Sequence, residues 1–344
     1  MKIIGITMGD PASIGPEITV KALADGSIDD RCHPLIVGDA SVMEKAVATV
    51  NMTGKIKIHP VKSVSEALFE KGTIDVYDLG LVDVDKLEMG KVSVMAGDAA
   101  FQYVKTVIEL AMKGEIDATV TNALNKEAIN LAGHHYSGHT EIYAHYTNTK
   151  SYAMMLAHKN MRVIHVSTHV SLREACDRCK KERILECTRL ADKACRDLGI
   201  ENPRIAVAGL NPHCGEGGLF GDEEIKEIAP AVEAAKAEGI NCEGPLPPDS
   251  VFSKLRGGMY DVVVVMYHDQ GHIPLKVVGF VYNQDKQAWD AVEGVNITLG
   301  LPIIRVSVDH GTAFDQAGTG KASPLSLINS IDYAIRMADA KGEK

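Results

Sequence analysis

The sequence predicts an α/β fold with mainly parallel sheets, and two observations carry this prediction. Apolar runs of strand length alternate with helical patterns from one end of the chain to the other. The runs are apolar throughout, as is typical of strands that helices cover on both faces of a parallel sheet. With 344 residues, the chain is also long enough for two domains of ordinary size.

The predicted elements follow one another as strands and helices. Each predicted strand is a short apolar run, and in chain order the strands span residues 2–7, 34–38, 74–79, 118–122, 152–157, 162–168, 204–210, 261–267, 296–300 and 303–308. Helical patterns lie between them, at residues 15–26, 96–115, 125–134, 171–199, 224–239 and 323–342. No obvious linker marks a boundary between the domains.

The composition argues against a nucleic-acid-binding, membrane-spanning or disulfide-linked protein. A formal net charge of -10 argues against a general nucleic-acid or anionic-membrane surface, although a small anionic substrate stays compatible with it. No segment reaches the length of a membrane span, and the first residues lack the pattern of a secretion signal. Seven scattered cysteines fit reduced thiols better than a disulfide framework. We therefore expect a cytoplasmic protein without nucleic-acid or membrane partners.

Three histidines follow three different predicted strands, and they are His169, His213 and His268. In open α/β sheets, ligands bind outside the carboxyl ends of the strands, so these imidazoles are expected at one edge. Three histidines with open coordination positions are typical of a catalytic metal site. A single histidine after a strand is more often a hydrogen-bonded loop residue, so the hypothesis depends on all three.

Further polar side chains near these histidines are suited to anions or to proton transfer. Arginine recognises carboxylate and phosphate with its planar fork, lysine acts as a point charge, and a helix beginning after residues 138–140 adds backbone donors. The candidates for substrate binding are His139, Thr140, Lys276, Asn296 and Arg305. The catalytic candidates are Lys276 and Asp249, the latter for proton transfer or for orienting a ligand.

Residue spacing reveals no nucleotide-binding motif. The segment from Gly215 does not fit G-x-G-x-x-G, because Phe220 occupies the position of the last glycine. The segment around Gly320 lacks the first glycine of a P-loop, since Asp315 stands there. The residues that would bind a nucleotide cofactor therefore stay unknown at this point.

Several segments, taken together, resemble the 4-hydroxythreonine-4-phosphate dehydrogenase family. They are TMGDPASIGPE, SGHTE, STHVSLREA, GLNPHCGEGG, GPLPPDSVF, MYHDQGHIPLK and GVNITLGLPIIRVSVDHGTAFDQAGTGKA, in order along nearly the whole chain. Within that family, NKEA, GLFGDEE, PPDSVF and HDQGHIPLK are closer to the branch that acts on 4-phospho-D-threonate and 4-phospho-D-erythronate.

The resemblance implies a fold, a cofactor and an assembly. It implies a two-domain fold like that of isocitrate and isopropylmalate dehydrogenases, a homodimer, and an active site in the interdomain cleft near the dimer interface. On this basis we expect a discontinuous first domain of residues 1–131 plus 316–344, and a second domain of residues 132–315 that carries the metal ligands and dimer contacts. The resemblance also implies NAD as the hydride acceptor, and it leaves a preference for NADP open.

The resemblance assigns roles to the same residues that the strand-end argument selects. The family's metal ligands fall on His169, His213 and His268. Its substrate-binding residues fall on His139, Thr140, Lys276, Asn296 and Arg305. Three imidazoles favour zinc, while manganese, cobalt and magnesium stay open. One departure is the longer segment 281–293, which contains the only tryptophan, Trp289.

The function expected from this resemblance is metal-dependent oxidation of the C3 hydroxyl of a phosphorylated four-carbon acid, followed by decarboxylation. For 4-phospho-D-threonate or 4-phospho-D-erythronate, the products would be dihydroxyacetone phosphate and carbon dioxide. One alternative is the substrate 4-phosphohydroxy-L-threonine of pyridoxal phosphate synthesis, and another is an aromatic cis-dihydrodiol dicarboxylate. A third alternative is a metal- or nucleotide-binding protein that catalyses no reaction.

Overall fold

The structure is a computed structural model that describes residues 1–285 and 288–342, with only the backbone described at 288–292. The chain folds into two compact units. The first comprises Met1–Lys150, Ala291–Val295 and Leu301–Lys344, and the second comprises Ser151–Asp290 and Asn296–Gly300.

The elements alternate along the chain as the α/β prediction requires. The strands are β1 (Ile3–Thr7), β2 (His33–Gly38), β3 (Lys57–Val61), β4 (Thr73–Asp78), β5 (Ala118–Thr121), β6 (Ala153–His158), β7 (Met161–His165), β8 (Ile205–Ala208), β9 (Cys242–Leu246), β10 (Val262–Val265), β11 (Phe280–Asn283), β12 (Ala288–Val292), β13 (Val295–Leu299) and β14 (Arg305–Val308). The α-helices are α1 (Gly15–Leu23), α2 (Ala40–Thr49), α3 (Val94–Met112), α4 (Lys126–Leu131), α5 (His139–Tyr146), α6 (Leu172–Arg178), α7 (Lys181–Asp197), α8 (Ala229–Ala237), α9 (Pro248–Arg256), α10 (His268–Gly279) and α11 (Leu325–Gly342).

The first unit is built on a parallel sheet with the strand order β3-β4-β2-β1-β5-β14. The central strands are dry on both faces, because helices cover them. Five of their side chains have no exposed surface: Ile4, Ile6, Leu35, Val120 and Val306. The mainly parallel α/β prediction is therefore confirmed for this unit.

The second unit has the strand order β13-β6-β7-β10-β8-β9. Strands β7, β10, β8 and β9 run parallel, whereas β6 and β7 form an antiparallel pair. The four valines of β10 are fully buried. They belong to a core that α9 and α10 complete, and its members include Leu156, Met161, Val163, Ala206, Leu255, Val263 and Leu275.

The boundary between the units differs from the predicted one at residues 131 and 315. In the structure the first unit runs on to Lys150 and resumes at Leu301. The reason lies in β5: the Tyr143 hydroxyl of α5 donates to Thr119 Oγ1 at 2.9 Å, and β14 pairs with β5. Residues 132–150 and 301–315 are thereby attached to the first sheet.

The predicted ranges miss the strands β3, β9, β11 and β12, the helices α2, α9 and α10, and one helix break. Strands β3 and β9 lie at the outer ends of their strand orders, and both contain proline and polar residues, as edge strands commonly do. The predicted helix 171–199 is two helices, because the backbone leaves the helical region at Cys179 and Lys180. Cys179 turns into the core there, with its Sγ 3.6 Å from Met266 Sδ.

Two other sequence expectations concern the cysteines and the longer segment. All seven cysteines are free thiols, in agreement with the prediction. Strands β11 and β12 form a separate two-stranded sheet in the segment 281–293, whose residues 286–287 and Trp289 side chain lie outside the described part. Within the described ranges, no helix combines the length and the apolar character needed to cross a bilayer.

Candidate functional site

The carboxyl ends of three neighbouring strands meet at one edge of the second unit. Strand β10 pairs in parallel with β7 on one side and with β8 on the other. His169 lies in the loop after β7, His213 lies in the turn after β8, and His268 begins α10 after β10. The three histidines therefore follow adjacent parallel strands, at the edge where ligands of α/β sheets bind.

Two of these histidines lie next to each other. The ring centroids of His169 and His268 are 5.7 Å apart. The Nδ1 atom of His268 is 2.6 Å from Asp269 Oδ1, which leaves Nε2 of this ring as the nitrogen available to a ligand. A carboxylate on the second nitrogen is the usual partner of a histidine that binds a metal ion.

His213 has the same kind of partner but a different location. Its Nδ1 is 3.2 Å from Glu216 Oε1, and 64% of its side-chain surface is exposed. Across the described residues, no three histidine, cysteine or carboxylate side chains converge into a metal cage. The donor chemistry of all three histidines fits a divalent cation, but within one chain the structure brings only His169 and His268 together.

The turn that carries His213 has an unusual backbone. Residues 213–217 all lie in the left-handed region, with φ between 46° and 77°. His213, Cys214 and Glu216 are not glycines, and the left-handed helical conformation costs such residues about 1–2 kcal/mol each. This turn is therefore strained, and its shape depends on the contacts that hold it.

Helix α10 presents a column of three side chains four residues apart: His268, His272 and Lys276. The rings of His268 and His272 stack at 3.6 Å between centroids, and His272 Nδ1 is 2.9 Å from the His268 carbonyl oxygen. His165 lies 4.7 Å from His272 between centroids. The Lys276 ammonium lies 5.3 Å from the Phe280 ring centroid.

Burial keeps the two inner histidines neutral. Burial, followed by the nearby His272, lowers the pKa of His165 to about 3. Burial also lowers the pKa of His272 to about 4. Neither ring was assigned a role from the sequence, yet together they place uncharged aromatic surface behind the half-buried His268. The i, i+4 spacing of His268 and His272 on a helix is the sequence signal that could have indicated this stack.

Asp249 lies in the first turn of α9 and is exposed. A negative charge at this position is stabilised by the helix dipole, which gives the residue an ordinary structural role. The charge of Asp249 reaches Cys214, the residue next to His213 in the turn. The pKa of Cys214 is raised to about 11, first by burial, then by Glu224 and then by Asp249. The predicted role of Asp249 in proton transfer stays a prediction.

The first unit contains a compact group suited to an anion. Arg305 in β14 is only 3% exposed, donates to Thr121 Oγ1 at 3.0 Å and lies over the Tyr143 ring at 5.6 Å. Burial lowers the pKa of Arg305 to about 10, so its guanidinium is still charged at neutral pH. A buried cation of this kind is a strong attractor for a phosphate or carboxylate.

His139 completes this group as the first residue of α5. Its Nε2 atom is buried and has no hydrogen-bond partner among the described residues. Burial, followed by the charges of Arg305 and Lys126, lowers the pKa of His139. Thr140 is the next residue of the same helix terminus. Lys126, at the start of α4, was not selected from the sequence, although it lies within the motif NKEA.

Asn296 lies elsewhere, in β13 of the second unit. Its Nδ2 atom is 3.1 Å from Met154 Sδ, in the neighbouring strand β6. The predicted contact of Asn296 with a substrate stays a prediction.

Comparison with known proteins gives this arrangement a family. Residues 30–334 match the family described as pyridoxal phosphate biosynthetic protein PdxA. The chain belongs to the PdxA family. The resemblance found in the sequence motifs, and the branch within it, are thereby confirmed.

Three PdxA relatives illustrate the similarity. The D-threonate 4-phosphate dehydrogenase of Pectobacterium atrosepticum is 48% identical over 98% of this chain and 99% of that protein. The crystal structure of a 4-hydroxythreonine-4-phosphate dehydrogenase from Klebsiella pneumoniae has 48% identity and a TM-score of 0.86, over 98% of this chain and 100% of that one. A terephthalate 1,2-cis-dihydrodiol dehydrogenase from Burkholderia xenovorans has 29% identity and a TM-score of 0.67, over 97% and 98% of the two chains.

Proposed function

We propose that this PdxA-family protein is an NAD-linked, metal-dependent dehydrogenase of 4-phospho-D-threonate or 4-phospho-D-erythronate. The observation that carries the proposal is the pair of His169 and His268, with Asp269 on Nδ1 of His268, at the strand edge of the second unit. The relative named D-threonate 4-phosphate dehydrogenase supports the choice of substrate.

His169, His213 and His268 are the proposed ligands of the divalent metal, with zinc favoured by an all-imidazole set. When bound, such an ion lowers the pKa of a hydroxyl group and polarises a carbonyl oxygen. Asp269 and Glu216 hold Nδ1 of their histidines, so that Nε2 is the basic nitrogen in each ring.

The proposed reaction has two chemical steps. In the first, the C3 hydroxyl loses its proton and C3 transfers hydride to NAD, which leaves a 3-keto acid and NADH. In the second, the bond between C1 and C2 breaks, carbon dioxide leaves, and the electron pair moves onto the C3 ketone as an enolate. Protonation at C2 then gives dihydroxyacetone phosphate. The proton released in the first step balances the proton consumed in the last.

The proposed substrate contacts are those of the two anionic ends and the hydroxyls. Arg305 offers a buried, charged fork, and His139 offers a buried Nε2 atom, both suited to phosphate or carboxylate. Thr140, Lys276 and Asn296 are proposed as further substrate contacts. Fixing both anionic ends restricts rotation of the substrate and so orients its C3 for hydride transfer.

The location of His213 supports a homodimer. This histidine is exposed on a strained turn, and exposed apolar side chains follow it, with Leu219 at 75% and Phe220 at 51%. Exposed apolar residues next to a functional turn are typical of a surface that another chain covers. We propose that a second copy of the chain covers this surface and that ligands from two copies complete the metal set.

The test is NADH formation by the purified protein, after metal removal and after restoration with zinc, manganese, cobalt or magnesium. The substrates are 4-phospho-D-threonate, 4-phospho-D-erythronate and 4-phosphohydroxy-L-threonine. We expect turnover of one of the first two, loss of turnover on metal removal, and release of one carbon dioxide per NADH. Turnover that survives complete metal removal would contradict the metal assignment.

A second candidate substrate is 4-phosphohydroxy-L-threonine. The family description and the name of the Klebsiella pneumoniae structure favour it. The two substrate types differ at C2, where one has an amine and the other a hydroxyl. A kcat/KM that is higher for the amine than for either hydroxy acid would assign the protein to this second reaction.

A further inference from the structure

The segment that leads into the strained turn after β8 is hydrogen-bonded to one buried carboxylate, that of Glu224. Only 3% of Glu224 is exposed. Its Oε1 accepts hydrogen bonds from the backbone N–H groups of Leu210 and Asn211, each at 2.7 Å. Its Oε2 accepts from Asn211 Nδ2 at 2.9 Å. A buried carboxylate is stable only where such donors compensate its lost hydration, so Glu224 and the turn depend on each other.

The backbone on both sides of His213 also packs closely against this carboxylate, at two glycines. A Cβ atom placed on Gly209 would lie 3.1 Å from Glu224 Oε1, and one placed on Gly215 would lie 2.9 Å from Oε2. The two glycines bracket His213 in the chain, four residues before it and two after it. The carboxylate therefore lies close to both ends of the short segment that projects His213.

Glu224 itself has a fixed position. It begins a π-helical turn, Glu224–Ile228, that continues into α8. Single π-helical turns occur frequently at functional sites, where they shift one side chain out of the regular helical register. The neighbouring Glu223 also accepts a hydrogen bond from Asn211 Nδ2, at 2.7 Å. The Asn211 amide therefore donates to two neighbouring carboxylates, those of Glu223 and Glu224, at the beginning of the π-helical turn.

We propose that Glu224 is a positioning residue that fixes the direction of His213 and thereby determines metal affinity. The proposal rests on the proposed function, in which His213 is a metal ligand. Glu224 does not contact the metal; it acts through the Leu210–Gly215 backbone and Asn211. A ligand on a strained turn binds tightly only if the turn is already in the binding shape before the metal arrives.

The experiment measures Co²⁺ affinity of the metal-stripped, full-length protein by the visible absorption of the bound ion. The variants are Glu224→Gln, which keeps the shape and removes the charge, and Asn211→Ala, which removes the amide contact at a partly exposed position. The matched control is Asp261→Asn. Asp261 accepts hydrogen bonds from Arg204 in the same unit, and it precedes β10 at the end opposite to His268.

We expect Glu224→Gln to weaken Co²⁺ binding about 10- to 100-fold, the range typical of residues that orient metal ligands. Asn211→Ala should give a smaller loss in the same direction, and Asp261→Asn should bind Co²⁺ like the unaltered protein. Thermal midpoints of all variants are measured alongside, because a general loss of stability would lower affinity in the control as well. Equal affinities in Glu224→Gln and Asp261→Asn would overturn the proposal.

A fourth variant, His213→Ala, separates this inference from the proposed function. If His213→Ala weakens Co²⁺ binding and Glu224→Gln does not, the ligand set stands and the role of Glu224 is refuted. If His213→Ala leaves Co²⁺ affinity unchanged, the proposed ligand set is wrong, and the positioning role falls with it. Should Glu224→Gln fail to fold, Asn211→Ala with an affinity equal to that of the control would refute the role of Glu224 by itself.

Discussion

Burial decides the charge of the titratable side chains in both units. Burial lowers the pKa values of His139, His165 and His272, because removing a ring from water disfavours its charged form. Arg305 is equally buried, but a pKa of about 10 leaves it charged at neutral pH. In the anion site proposed around β14, the attraction therefore comes from Arg305, and His139 contributes a hydrogen-bonding atom.

The first residue-scale prediction concerns Arg305. Replacing it with lysine keeps the charge but removes the planar fork and the bond to Thr121. We expect the KM for the phosphorylated substrate to rise about 10- to 100-fold, since a charge-assisted hydrogen bond is worth roughly 1.5–3 kcal/mol. The measurement is a steady-state NADH assay.

The control for Arg305 is the variant Arg31→Lys. Arg31 lies in the first unit as well, where it pairs with Asp332 at the surface. A KM that changes equally in both variants, or in neither, would contradict the assignment of Arg305 to substrate binding.

The second residue-scale prediction concerns Asp10, which is fully buried and accepts a hydrogen bond from Ala12 N at 2.9 Å. Burial raises its pKa from 3.8 to about 6. Between these values the folded protein holds the proton more tightly than the unfolded chain, so stability falls as pH rises through this window and stays reduced above it. A shift of about two units corresponds to roughly 3 kcal/mol at most.

The variant Asp10→Asn keeps an acceptor for Ala12 and cannot ionise. We expect it to be more stable than the unaltered protein at pH 7.5, by up to about 3 kcal/mol, with the difference shrinking toward pH 4.5. Urea unfolding at several pH values measures the difference, in which contributions common to both proteins cancel. A gap that stays constant over this pH range would show that Asp10 is not the titrating group.

At the scale of elements, the buried strands were predictable and the edges and turns were not. The run 261–267 predicted β10 because four successive valines have no polar face. Strands β3 and β9 escaped prediction because an edge strand needs little apolar sequence. The left-handed turn at His213 was not predicted: Gly215 and Gly217 favour that backbone, but His213, Cys214 and Glu216 do not, and the contacts from Glu224 come from a separate helix start. The three histidines and their placement after adjacent strands were predictable, but the close approach of only His169 and His268 within one chain was not.

The element-scale prediction compares two glycines of that turn. Both Gly215 and Gly217 have a positive φ, but a Cβ on Gly215 would lie 2.7 Å from the Gly221 carbonyl oxygen, whereas a Cβ on Gly217 meets open space. Gly217→Ala should cost about 1 kcal/mol from backbone strain alone. Gly215→Ala should cost about 1–3 kcal/mol more from the overlap, and it should also lower Co²⁺ affinity.

Thermal unfolding and Co²⁺ titration of the two alanine variants test this prediction. Gly217→Ala is the matched control, because it introduces the same side chain and the same strain without the overlap. Equal effects of the two substitutions on stability and on affinity would mean that the packing of Gly215 against Gly221 and Glu224 does not hold the turn.

At the scale of the whole molecule, exposed apolar surface supports a dimer. On α10, Ile273 is 59% exposed and Val277 is 75% exposed, and the two lie four residues apart on one face of the helix. Single exposed apolar residues are common, but a row of them on a helix that also carries a proposed metal ligand is typical of an interface.

The whole-molecule prediction is that Val277→Lys weakens self-association. The lysine would place a charge in the proposed interface, while its location in the last turn of α10 suits the helix dipole and preserves the fold. Analytical ultracentrifugation should show the mass of a dimer for the unaltered protein and a shift toward the monomer for the variant. Leu131→Lys in α4, at a side chain that is 59% exposed, serves as the control. A monomeric unaltered protein would refute the dimer.

His268 and His213 follow strands that differ in how far they lie from the edge of the sheet. Strand β10 is bonded on both sides and its amide hydrogens should be among the slowest to exchange with solvent, so the base from which His268 projects is anchored. His213 projects from a turn beside β8, whose outer neighbour is the edge strand β9. In the proposed metal set, His268 is therefore the ligand with the better anchored base, whereas His213 depends on the contacts from Glu224 that hold its turn.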